Sequence, residues 1–143
     1  MSYGVCVPES IQVFLSRNFP SFSLLTLFFL LDGIKGLSIN NFNLHGGSYP
    51  LIWGGDAVNY TVGSNTEISS NCYPGAMNSD KVRGTIVLCD SLYDGSGILL
   101  AGGVGTVMAD SEYNDFAFSY PLPATKISPE DGLKILNYIT TTE

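Results

Sequence analysis

Histidine is almost missing from this 143-residue chain, and His45 is the single copy. Serine and cysteine hydrolases use an imidazole to take the nucleophile's proton. His45 lies in the turn-like stretch Asn43-Leu-His-Gly-Gly47 with no nucleophile motif beside it, so it reads as a solvent-facing turn residue. Cysteine is sparse as well. Cys6, Cys72 and Cys89 are far apart and form no C-x-x-C pair. Zinc sites draw on several His or Cys ligands at short spacing, so no metal centre is expected. Charge is scarce too, at 13% of residues, against about 25% in ordinary globular domains. The little there is leans acidic, with 13 Asp and Glu against 6 Lys and Arg, a net charge of −7. Such a chain repels phosphates, and a nucleic-acid partner is not expected. No apolar run reaches the roughly 20 residues of a spanning helix, and no internal repeat is visible.

What the chain does have is 45% hydrophobic residues and 16 glycines. That composition excludes global disorder and fits one strand-rich globular domain with tight turns and few long solvated helices. The glycines of Gly95-Ser-Gly-Ile-Leu-Leu-Ala-Gly-Gly-Val-Gly105 invite a dinucleotide reading. The fingerprint needs Gly or Ala five positions after its first Gly, and Leu100 stands there. No Lys-Ser/Thr follows to make a P-loop, and Asp94-Gly-Ser-Gly97 lacks the glycine two residues before the serine that a nucleophile elbow requires. No cofactor is expected, and the run reads as a short helix between tight turns.

Residues 1–32 differ from the rest. Phe22-Ser-Leu-Leu-Thr-Leu-Phe-Phe-Leu-Leu31 is apolar and matches the h-region of a signal peptide in length. Its flanks fit poorly, because Arg17 is the only positive charge before it and Asp32-Gly33 replaces a small-residue cleavage site. A poor signal, a buried hydrophobic segment and sequence foreign to the fold all fit. From Gly36 onward the pattern is regular. Leu37–Phe42 alternates as a strand. Tyr49-Pro-Leu-Ile-Trp53 is a short apolar run that Pro50 confines to a strand start or a sheet edge. Residues 54–80 read mostly as loop. Thr85–Cys89 and Gly105–Ala109 read as buried strands, with a short helix over Ser96–Ala101 ended by Gly102-Gly103. Strand, helix, strand predicts a parallel crossover. Asp110–Asp115 is an acidic loop, and Leu122–Ile127 is extended. Ser128-Pro-Glu-Asp131 predicts a capped helix start, followed by a helix of about three turns with Leu133, Leu136 and Ile139 or Thr140 on one face and Ile135 beside them.

Several of these segments, in this order, resemble the protease-associated (PA) domain of plant subtilisin-like proteases, the cucumisin-like subtilases. They are Gly36–Phe42, Tyr49-Pro-Leu-Ile-Trp-Gly-Gly-Asp-Ala57, the stretch from Cys72-Tyr-Pro-Gly75 through Gly84-Thr-Ile-Val-Leu-Cys89, Ala101–Met108, Tyr120-Pro-Leu-Pro-Ala124 and Asp131–Ile139. The resemblance covers about residues 33–143 and leaves 1–32 as a hydrophobic leader, signal-like or foreign to the fold. It implies an α+β, β-rich fold: an open barrel or sandwich of short strands with a parallel strand-helix-strand unit and a C-terminal helix. It also implies a fragment of such a protease, preceded by unrelated sequence.

In that family the PA domain is inserted into a catalytic domain that supplies Asp, His and Ser. This chain carries none of the three motifs: Asp32-Gly33-Ile34 lacks the Ser or Thr of the first, and neither His-Gly-Thr-His nor Gly-Thr-Ser-Met occurs. The resemblance therefore implies a non-catalytic module of a secreted serine endopeptidase, covering the active-site cleft and contacting protein substrate or a second subunit through loops such as Tyr113–Tyr120, whose aromatics have packing in the core as their other reading. The alternative is a lumenal cargo-binding PA module of the vacuolar sorting receptor type, which would need a membrane span later in the chain. Secretion to the apoplast is implied. Cys72 and Cys89 occupy the family's matching positions, which implies a disulfide between them and leaves Cys6 free. Asn59-Tyr-Thr61 is the one N-x-Ser/Thr sequon, and it is a glycan site if the chain is secreted.

Overall fold

The computed structural model describes residues 36–38 (backbone), 49–110 and 119–141. His45, Cys6, the apolar run 22–31 and the acidic stretch 111–115 lie outside the described residues. Five short strands form one sheet: β1 (Gly36–Ser38), β2 (Leu51–Trp53), β3 (Ile86–Cys89), β4 (Gly105–Ala109) and β5 (Ala124–Ile127). Their order is β1-β5-β4-β3-β2. The last four are mutually parallel, and β1 lies antiparallel on β5 with Gly36 opposite Ile127. This is a small α+β domain whose described strands make one open sheet.

Both faces of the sheet are covered, which is why the central strands read as continuous apolar runs. All four residues of β3 and all five of β4 are buried. Side chains still alternate. Ile52, Val87, Cys89, Met108 and Ala124 pack on one face, and Leu51, Trp53, Ile86, Leu88, Val107, Ala109 and Ile127 on the other. From β2 to β5 the strand order advances in one direction. Right-handed crossovers then all fall on the same face. The first face accordingly carries residues from all three connections: Ala57, Cys72, Met77 and Val82, then Ile98 and Ala101, then Tyr120 and Leu122. The expected strand-helix-strand unit is there, with Ile86 opposite Gly105 and α3 (Ser96–Leu100) between the strands.

Pro50 sits just before the edge strand β2, where its missing N–H costs no ladder bond. Its carbonyl accepts from the Ile86 N–H at 2.8 Å. Residues 54–80 depart from the loop expectation. They contain two 3-10 turns, Gly54–Asp56 and Tyr60–Val62, the helix α1 (Thr66–Ser70) and the start of α2 (Ser79–Val82). The Asn side chains that signalled loop act here as caps: Asn65 accepts from the Ile68 N–H at 2.9 Å and Asn78 from the Asp80 N–H at 2.9 Å. The same short side chain serves a turn or a helix start, so composition alone does not separate them.

The other face belongs to α4 (Pro129–Thr141), 13 residues long. It starts as expected, with Pro129 first and the Ser128 hydroxyl accepting from the Asp131 N–H at 3.2 Å. Its inward face differs from the sequence reading. Ile135 is buried and Leu136 and Ile139 pack half-buried beside it, but Leu133 is 67% exposed. The helix approaches through Gly132, where an added Cβ would stand 2.5 Å from the Ala109 Cβ. Gly132, Ile135, Leu136 and Ile139 follow the i, i+3, i+4, i+7 spacing of one helical stripe. A glycine carries no apolar signal, so Gly132 is not legible as part of the stripe; Leu136 and Ile139 lie on the expected face and Leu133 does not. Ile135→Ala is expected to cost about 2–5 kcal/mol in urea unfolding followed by circular dichroism. Leu133→Ala should change stability by no more than about 0.5 kcal/mol in the same measurement.

Candidate functional site

The carboxyl ends of the parallel strands gather most of the chain's unusual chemistry. β3 ends in Cys89, which is joined by a disulfide to Cys72 with Cα atoms 5.8 Å apart. Both residues are 1% exposed. Cys72 follows α1 and holds a left-handed backbone, φ 58°, a conformation a non-glycine residue keeps only when its surroundings fix it. Those surroundings are dense. The Cys72 N–H donates to the Ser69 carbonyl at 2.9 Å and the Asp90 N–H to the Ser70 carbonyl at 2.8 Å. The buried Ser69 hydroxyl donates to the Gly54 carbonyl at 2.7 Å. Gly97 of α3 lies so close to the Cys72 carbonyl that no side chain fits between them. The bridge thus binds the first crossover to the end of β3, and α3 packs against the Cys72 backbone through Gly97.

Beyond the strand ends lie polar and aromatic side chains. Trp53, at the end of β2, donates its indole N–H to Asp90 Oδ1 at 3.0 Å. Asp94 Oδ1 accepts from the Ser96 N–H at 2.9 Å and from its hydroxyl at 2.7 Å, opening α3. Tyr73 and Tyr93 meet edge to face with ring centroids 5.4 Å apart. Asp110, just past β4, pairs with Lys126 on β5 at 3.5 Å, both largely buried. Tyr120 is 5% exposed. Burial raises its phenol above the usual tyrosine value, and the carboxylates of Asp94 and Asp110 raise it further. Burial also raises Tyr138 on α4.

Tyr120 therefore packs in the core, the second of the two readings of that aromatic stretch, and not in a substrate-contacting loop. Residues 113–118 of that loop lie outside the described residues. Among the described residues, no group of three or more His, Cys, Asp or Glu side chains is placed to hold a metal ion, and no helix is long and apolar enough to cross a membrane. The Asp110–Lys126 pair and the two carboxylates around Tyr120 were not legible in sequence. For Asp110 the available signal was position, since it directly follows a buried strand; Asp94 carried none.

No family model matches the chain. Individual relatives do, and all those compared below are plant subtilisin-like proteases. Subtilisin-like protease SBT4.3 of Arabidopsis thaliana is 33% identical over 110 residues, covering 77% of this chain and 15% of that protein. SBT5.1 of the same plant is 36% identical over 118 residues, covering 76% of this chain and 15% of the relative. SBT1.4 is 39% identical over 80 residues, covering 50% and 10%. The chain is thus subtilase-related over about three quarters of its length, and it spans about 15% of the length of the first relatives it matches.

Two outcomes follow from this geometry. A Cys72→Ala/Cys89→Ala variant is expected to be about 3 kcal/mol less stable in urea, the figure for a loop of this size. For Tyr120, a folded value raised above an unfolded value of about 10 means that stability is full below about pH 10 and falls as pH rises through the folded value. Tyr120→Phe should flatten that alkaline fall in the urea midpoint, leaving the share due to Tyr138.

Proposed function

We propose that residues 33–143 form the PA module of a subtilisin-like serine endopeptidase and carry no peptidase activity of their own. In this reading the module covers the catalytic cleft of a parent protease and helps to seat protein substrate or a second subunit. Residues 1–32 are a leader outside the module. The observation that carries the reading is the similarity of 110 residues to about 15% of a protease's length, in a segment that holds none of the Asp, His and Ser motifs of the peptidase. The protease relatives favour this over a cargo-receptor module. The Cys72–Cys89 bridge supports a secretory, oxidising destination, where such bonds persist.

The experiment pairs two proteins. The purified chain should neither hydrolyse casein nor label with a fluorophosphonate. SBT4.3 with its matching region deleted should lose casein hydrolysis, and insertion of residues 33–143 in its place should restore it. Stoichiometric labelling of the chain alone, or a chimera no more active than the deletion, overturns the reading.

A further inference from the structure

We propose that Asn59 is an N-glycan acceptor, taking an oligosaccharide from a lipid-linked diphosphate donor, and that the sugar covers the exposed apolar turn beside it. The inference rests on the secretory part of the reading above.

The acceptor geometry is local. Asn59 leads the 3-10 turn Tyr60–Val62, and Gly63 closes the turn with φ 75°. Asn59 Oδ1 accepts from the Thr61 hydroxyl at 2.6 Å and from the Thr61 N–H at 3.3 Å. The sequon therefore already holds its hydroxyl on the acceptor amide. A hydrogen bond to Oδ1 polarises the amide and makes an Nδ2 proton easier to remove. Both contacts join residues two apart, so they draw on no partner outside the sequon. In the transfer, the Nδ2–C1 bond to the sugar forms and the C1–oxygen bond to the diphosphate breaks. The lipid diphosphate leaves, and one Nδ2 proton passes to a base of the transferase.

The folded domain accommodates the product. Nδ2 carries two hydrogens. One reaches the Gly75 carbonyl at 3.4 Å, and glycosylation replaces only one, so that contact is compatible with an attached sugar. The turn belongs to the crossover layer, away from α4, and its flanking side chains project into solvent: Tyr60 is 75% exposed and Val62 65%. These two exposed apolar side chains, in the turn that Asn59 leads, are open to cover by an attached sugar. The C–H faces of a sugar on Asn59 are suited to cover the Tyr60 ring. The sequon is the only one in the sequence, so any N-glycan must map here.

The test translates the full chain with endoplasmic-reticulum microsomes, both as it stands and behind a cleavable signal peptide. Protease protection reports entry, and peptide N-glycosidase reports the glycan. The signal-led, protected chain should show one mass step that glycosidase removes. Asn59→Gln and Thr61→Val should each abolish the step, Thr61→Ser should retain it, and Asn65→Gln should leave it unchanged. A protected chain with no mass step, or a step that survives Asn59→Gln, overturns the proposal. Lack of protection for the chain without the added signal would count against the secretory reading alone, because the signal-led chain still reports on Asn59.

Discussion

The constraint on which the rest of this structure depends is the one-way advance of its parallel strands. β2, β3, β4 and β5 lie side by side in chain order. The right-handed rule then sends all three crossovers over the same face. The crossover layer must be packed there, where the described residues contain only short helices, and one face is left vacant for α4. The two hydrophobic clusters record that division: one collects the crossovers and the other collects the C-terminal helix.

A layer of short helices and turns is a weak cover, since helices of four or five residues gain little from their own hydrogen bonds. Three devices reinforce it. The Cys72–Cys89 bridge fastens it to the sheet from within the core. Asn65 and Asn78 cap α1 and α2. Close backbone approaches at Gly54 and Gly97 let α1, Cys72 and α3 meet without side chains between them: a Cβ at Gly54 would stand 2.7 Å from the Ser69 carbonyl oxygen. The left-handed backbone of Cys72 belongs to the same arrangement, held by bonds on either side of it.

The polar side chains follow the same division. The strand ends carry Trp53, Asp90, Asp94 and Asp110, but their partners are structural: an indole, a helix start and a lysine. The similarity to SBT4.3 covers about 15% of that protein's length.

Much was legible in the sequence because it rests on local patterns. Thr85–Cys89 and Gly105–Ala109 could only be buried strands, since runs that apolar must be covered on both sides. Pro50 marked the edge, and Ser128-Pro129 with Asp131 marked the start of α4. The single histidine and the missing motifs limited the chemistry. Tertiary structure decided what depends on neighbours. Gly132 became the contact point of α4 because Ala109 lies against it, which turned Leu133 outward. Tyr120 entered the core because the third crossover folds onto the same face as the first two. Asp110 met Lys126 because β4 and β5 are adjacent. A sequence records what each residue prefers; which residue stands opposite it is set only when the strands choose their order.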